Sequence, residues 1–250
     1  MNFDQEGMIF FPEVLPPEYR FDFPVPFEEI NLKVKGATIN ALYFKIDNPK
    51  GAVLYFHGNA GSLSSWGYAA LDFTSRSYNV FIVDYRGYGK STGRIMNESM
   101  LHDDAAAAYE YVKNLYPEEQ IILYGRSIGT GIACYLATQN KPHMLILESP
   151  YYSLKDIANR FIPFMPAALI DKIFKYPLRT DLWIPHVQCP IYIFHGMEDE
   201  IIPFNSSRRL VPLIKSEHEL IAIPGGGHND LINYPLYHEG LDRILKSNIP

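Results

Sequence analysis

The chain has 250 residues, 47% hydrophobic and 20% charged, a balance that suits an ordinary globular protein with length enough for a complete core. Its net charge of −6 and the lack of any Lys/Arg cluster argue against a nucleic-acid partner, which requires a basic stripe. Two cysteines, Cys134 and Cys189, are too few for a disulfide framework and fit a reducing compartment or indifference to redox.

Residues 1–27 are rich in proline and aromatic residues, which predicts an extended arm lying on the folded body rather than a helix. Met8-Ile9-Phe10-Phe11 is its one apolar cluster, far short of a signal-peptide core or a membrane span. The expectation is a cytoplasmic protein, with the aromatic arm a candidate for peripheral contact with a membrane. Glu28–Val34 and Thr38–Lys45 alternate apolar and polar residues around Lys35-Gly36-Ala37 and predict a hairpin at a sheet edge. Gly51–His57, Asn79–Asp84, Ile121–Tyr124, Met144–Glu148, Ile191–His195 and Glu219–Ile223 are continuous apolar runs, as expected of parallel strands buried on both faces. Between them, Ser62–Ser75, Asn97–Leu115, Ser127–Gln139, Asn205–Ile214 and Asp230–Lys246 have helical features. The pattern predicts one α/β domain over residues 1–250: a mostly parallel eight-stranded sheet with an antiparallel leading edge and helices on both faces. Residues 149–190 are too long for a single crossover. Their prolined, apolar centre (Phe161–Pro166, then Ala167–Phe174) predicts a short helical, lid-like insert over an apolar cleft.

In an open parallel sheet, ligands bind beyond the carboxyl ends of the strands. The run Ile121–Tyr124 enters Gly125-Arg126-Ser127-Ile128-Gly129 and then a helix. Glycines two residues either side of a serine suit a strained strand-to-helix turn that exposes a nucleophilic hydroxyl, with the backbone N–H of Ile128 at the helix start able to hold an oxyanion. His57-Gly58-Asn59-Ala60-Gly61 after the first parallel strand would bring a second N–H, near Asn59, to the same place. Asp84-Tyr85-Arg86 after the next strand reads as a structural pair, Asp84 with Arg86, fixing a loop. Gly89-Lys90-Ser91 fails as a phosphate loop because Asp84 stands where its first glycine belongs, and Gly129-Thr130-Gly131 fails as a dinucleotide fingerprint because Cys134 takes the third glycine's place. Glu198, Asp199 and Glu200 follow a later strand, and spacing does not rank them as partners for a histidine. His228 stands on the glycine-rich loop Pro224–Asp230 after the last strand, where it can reach Ser127. The other seven histidines read as packing or surface residues.

HGNAGS, DYRGYGKS, GRSIGTG, HGMEDEIIP and GGGHND together resemble the α/β-hydrolase superfamily, most of all its compact branch of depalmitoylase-like and lipase-like serine hydrolases. Glu148-Ser149-Pro150-Tyr151 is similar to that branch too. The resemblance implies Ser127 as nucleophile, His228 as general base, Asp199 as orienting acid, and the N–H groups of Asn59 and Ile128 as oxyanion hole. It implies a small acyl-ester or thioester substrate, no cofactor and no metal. Relatives in that branch often carry a membrane anchor ahead of the stretch matching Ile9–Pro12, and here almost nothing precedes it. The serine disfavours haloalkane and epoxide chemistry, which needs a carboxylate nucleophile. Amide or peptide hydrolysis with the same three residues and a non-catalytic binding protein are the alternatives.

Overall fold

In the computed structural model, which describes residues 5–161 and 174–246, the apolar runs become the strands of one sheet. They are β1 (Phe27–Val34), β2 (Ala37–Phe44), β3 (Gly51–Phe56), β4 (Tyr78–Val83), β5 (Ile121–Arg126), β6 (Met144–Glu148), β7 (Ile191–Gly196) and β8 (His218–Ile223). Their spatial order is β1-β2-β4-β3-β5-β6-β7-β8. β2 pairs antiparallel with both β1 and β4, and every pairing from β4 to β8 is parallel. The antiparallel leading edge expected from the hairpin is therefore present.

Strand periodicity divides the core into two layers. On β3, Ala52, Leu54 and Phe56 face a cluster that includes Leu101, Tyr109, Ile128 and Ile132 from the helices Glu98–Lys113 and Ile128–Gln139. Val53 and Tyr55 point the other way, into a cluster with Leu63, Phe73, Leu241 and Ile244. Successive side chains of a strand leave opposite faces, so a run buried throughout requires helices on both sides. The chain passes from β3 to β4 on one flank and then to β5 on the other. At that reversal the crossovers diverge and open a crevice beyond the strand ends.

Several elements differ from the sequence expectation. Glu6–Ile9 form one helical turn within the arm, and Phe11–Pro12 pair parallel with Ala60–Gly61. The arm's conformation is set by these distant partners, which local composition does not report. Ser62–Ser75 is broken into Leu63–Trp66, a 3-10 turn at Gly67–Ala69, and Ala70–Thr74. The break falls where the ring of Phe23 occupies the space a side chain on Gly67 would need. The helix after Asn205 ends at Leu210 and tightens into a 3-10 turn over Val211–Leu213, while the last helix starts only at Pro235. Asp84 and Arg86 do not pair. Arg86 makes a bidentate bridge of 2.6 and 2.8 Å to Asp104, whereas Asp84 turns inward to His57 and to the N–H of Leu63. Both residues lie beyond the end of β4 at Val83, where the loop and not strand alternation sets the direction of each side chain. Of the expected insert, the helices Leu154–Phe161 and Thr180–Trp183 are seen. The stretch 162–173 on which the lid expectation rests lies outside the described residues. Among the described residues no helix is long and apolar enough to cross a membrane.

Candidate active site

Ser127 sits at φ 52° and ψ −120°, a left-handed conformation that costs a non-glycine residue about 1–3 kcal/mol. The turn is tight enough to exclude side chains on both flanks. A Cβ on Gly125 would lie 2.7 Å from Thr130 Cα, and one on Gly129 would lie 2.7 Å from the carbonyl carbon of Phe56. The strain is held by hydrogen bonds: Ser127 N–H donates to Glu148 O at 2.9 Å, and Thr130 Oγ1 donates to Ser127 O at 2.6 Å. The result lifts the Ser127 hydroxyl off the end of β5.

The loop after β8 brings His228 to it. Gly225 takes φ 76°, Glu198 N–H donates to Gly226 O at 2.9 Å, and Gly227 N–H donates to Asp230 Oδ1 at 2.7 Å. His228 Nε2 then lies 3.0 Å from Ser127 Oγ, and its Nδ1 lies 2.7 Å from Asp199 Oδ2. Of the three consecutive acids, only Asp199 is buried, and Glu198 and Glu200 are exposed. Its other oxygen accepts the N–H groups of Ile201 and Ile202 at 2.9 and 2.8 Å. Burial works to raise the Asp199 carboxyl, but hydrogen bonds from His195 and His228 and the charge of His228 outweigh it and hold the group well below the ordinary carboxylate range. An ionised Asp199 accepts the Nδ1 proton of His228, which leaves the Nε2 lone pair facing the serine hydroxyl.

The backbone of Asn59 is fixed from several sides. Its carbonyl accepts from Phe11 N–H at 2.9 Å and from the Tyr88 hydroxyl at 2.7 Å, and its side-chain amide donates to Ile9 O at 3.0 Å. The Asn59 N–H takes part in none of these bonds. Ile128 is the first residue of its helix, so its N–H has no intrahelical acceptor. Asn59 and Ile128 border the same cavity as Ser127 and His228, with a volume of about 730 Å³. Its walls are largely apolar, among them Ile9, Phe11, Trp66, Tyr151, Leu154 and Ile157, and among the described residues no Asp or Glu lines it. Among the described residues, no group of three or more His, Cys, Asp or Glu side chains is placed to hold a metal ion.

Some residues of this region are not singled out by sequence. His195, fully buried, donates from Nε2 to Ile202 O at 2.8 Å and accepts the Ser207 hydroxyl at 2.6 Å on Nδ1, bracing the turn that carries Asp199. Its position four residues before Asp199, at the end of a strand, was the available signal. Arg126 packs its guanidinium 5.0 Å above the Trp66 ring and lies 3.2 Å from Glu148 Oε1. Burial opposes its charge, and the Glu148 carboxylate outweighs that and raises the Arg126 pKa. Glu148 also accepts from the Tyr124 hydroxyl. Nothing in the sequence alone pairs Arg126 with Glu148. In the sheet they are direct neighbours across β5 and β6.

A family model described as "Serine aminopeptidase, S33" matches residues 47–181. The chain is 34% identical over 215 residues to the alpha/beta hydrolase domain-containing protein aho-3 of Caenorhabditis elegans, a match covering 80% of this chain and 59% of that protein. It is 31% identical over 233 residues to the uncharacterized protein Rv2307c of Mycobacterium tuberculosis, covering 90% of this chain and 81% of that one. Among solved structures it is similar to the Pyrococcus furiosus esterase Pf2001, with a TM-score of 0.76 at 17% identity over 95% of this chain and 97% of that one. At that identity the likeness speaks to the fold.

Proposed function

From the premise that this chain belongs to the α/β-hydrolase superfamily, we propose that it is a serine hydrolase that cleaves carboxylic esters or thioesters through an acyl-enzyme. The observation that carries this reading is the line from Ser127 Oγ to His228 Nε2 at 3.0 Å and from His228 Nδ1 to Asp199 Oδ2 at 2.7 Å, at the edge of a largely apolar cavity. His228 takes the proton of Ser127 as its oxygen attacks the carbonyl carbon. Asp199 holds the imidazole in the competent tautomer and stabilises the imidazolium. The N–H groups of Asn59 and Ile128 receive the oxyanion, each worth on the order of 3 kcal/mol in the transition state. His228 returns its proton to the leaving alcohol or thiol. Water, deprotonated by the same imidazole, then releases the acid and restores Ser127.

The family description names aminopeptidases, which would use the same three residues. A free amino terminus, however, needs a carboxylate to meet it. None lines the cavity among the described residues, Glu148 is engaged by Arg126, and Asp156 is bridged to Arg209. The esterase named Pf2001 shares the fold, and ester chemistry suits an apolar cavity better than peptide recognition does. The test is hydrolysis of p-nitrophenyl esters from acetyl to palmitoyl, alongside aminoacyl p-nitroanilides. Ester turnover abolished by Ser127→Ala is expected. Faster anilide cleavage would reverse the preference, and wild-type turnover that survives Ser127→Ala would overturn the assignment of the nucleophile.

A further inference from the structure

We propose that the N-terminal segment Gln5–Glu13 is the specificity wall of the acyl site, so that an acyl chain seated on Ser127 runs along Ile9, Met8 and Phe11. The inference rests on the reading of the chain as an acyl hydrolase and goes beyond it by assigning the chain-length determinant to a segment that precedes the matched family region, residues 47–181.

Three observations carry it. First, Gln5, Met8, Ile9 and Phe11 line the same cavity as Ser127 and His228. The arm is thus part of the cavity's wall and does more than cover the body.

Second, the arm is built onto the loop that carries Asn59. Phe11 lies in register with Ala60 and Pro12 with Gly61. Phe11 N–H donates to Asn59 O at 2.9 Å, Glu13 N–H donates to Gly61 O at 3.0 Å, and the Asn59 amide donates to Ile9 O at 3.0 Å. Beyond the paired stretch the Glu13 carboxylate takes the hydroxyls of Ser62 and Ser64 at 2.5 and 2.6 Å, and Gly89 N–H donates to Glu13 O at 2.7 Å. At its other end, Gln5 Oε1 accepts from Lys175 N–H at 2.9 Å, Glu6 accepts from the Tyr176 hydroxyl at 2.7 Å, and the Phe10 ring meets Tyr176 edge-on at 5.2 Å. The wall is therefore anchored at both ends, and its placement relative to Ser127 is fixed by backbone pairing.

Third, the two outermost wall residues are apolar and half exposed, Met8 at 55% and Phe11 at 52%. Apolar side chains that both border the cavity and remain open at its mouth are where a chain longer than the enclosed space would continue. Each methylene that finds such a contact is worth roughly a factor of four in binding.

The test uses alkyl fluorophosphonates of ethyl and dodecyl chain length, which report the rate of Ser127 capture without depending on ester turnover. Wild type is compared with Met8→Trp and Phe11→Ser, and with Val14→Ser as a control on the same arm but outside the cavity lining. The dodecyl-to-ethyl rate ratio is expected to fall on the order of tenfold in Phe11→Ser, from the loss of about two methylene contacts, and by a similar factor in Met8→Trp, where the larger ring blocks the path of the long chain, and to stay at the wild-type value in Val14→Ser. An unchanged ratio in Met8→Trp and Phe11→Ser, with Ser127-dependent labelling intact, overturns the wall and leaves the hydrolase reading standing. An equal fall in Val14→Ser also overturns it, since the effect would then come from loosening the arm. Absence of any Ser127-dependent labelling in the wild type overturns the wall and the hydrolase reading together.

Discussion

Replacing Glu148 by Gln removes one charge of a buried pair and keeps its shape. The Glu148 carboxylate lies 3.2 Å from Arg126 Nε, and the two side chains are 5% and 18% exposed. At that distance the attraction is about 5 kcal/mol for an effective dielectric of about 20. Desolvation of both ions costs several kcal/mol each, so the intact pair is worth little net. The single substitution is different, because it leaves Arg126 charged and uncompensated, a loss of about 3–5 kcal/mol. The Trp66 ring 5.0 Å away retains a contribution of about 1 kcal/mol, which puts the expected destabilisation of Glu148→Gln near 3 kcal/mol. Urea unfolding followed by circular dichroism measures it. The double variant Arg126→Met/Glu148→Leu should recover at least half of that loss, since neither charge remains and the Tyr124 hydroxyl keeps Tyr237 at 3.3 Å as a partner. Activity should not recover with it. Arg126 also reaches the carbonyl of His228 at 3.5 Å and Asn229 Oδ1 at 3.3 Å, long hydrogen bonds worth about 1 kcal/mol or less each. Their loss from the loop that carries His228, the proposed base, predicts a kcat for p-nitrophenyl esters about tenfold below wild type with little change in KM. A double variant as unstable as Glu148→Gln would refute the charge argument. Full kcat in that variant would refute the role of Arg126 in positioning His228.

Gly129→Ala should destabilise the fold by about 3 kcal/mol, because the new methyl would meet the backbone of Phe56 and His57, the latter at 2.8 Å from its oxygen. An unaltered melting temperature would show that the turn has more room than this geometry allows. His102 stacks on the Tyr135 ring at 3.7 Å, its Nε2 has no hydrogen-bond partner among the described residues, and burial pushes its pKa from 6.5 down to about 4. The unfolded chain therefore binds the proton first. The contribution of neutral His102 is complete above about pH 6.5 and is lost as pH falls toward 4, to a total of at most about 3 kcal/mol. Urea midpoints at pH 7 and pH 4.5 should draw apart less in His102→Phe than in wild type, and an equal separation would remove His102 as the cause.

What could be read from sequence was whatever a local rule decides. Runs such as Gly51–Phe56 and Tyr78–Val83 are buried at every position, and only a sheet covered on both faces satisfies that. Gly125 and Gly129 are required by the turn itself, so the serine between them stands out without knowledge of any other part of the chain. Asp199 could not be told from Glu198 and Glu200 by spacing, because what separates them is burial and the contact with His228, which lies on a different loop. The same holds for Arg86. Its nearest acid in sequence is Asp84, but its partner is Asp104 in the following helix. Composition alone predicts extended chain throughout the arm, because nothing in Glu6–Ile9 reveals that Lys175 and Tyr176 hold that turn.

The two proposed oxyanion donors show why that division falls where it does. Both are backbone N–H groups, and any residue type but proline supplies one. What makes them useful is placement, which at Ile128 comes from the strained conformation of Ser127 and at Asn59 from strand pairing with Phe11 and Pro12. Substituting the side chain of Ile128 leaves its donor in place, whereas a change that releases Phe11–Pro12 from Ala60–Gly61 moves the donor at Asn59 without touching that residue. Sensitivity of the transition state should therefore follow the backbone pairing of the arm more closely than the identity of the residues whose N–H groups do the work.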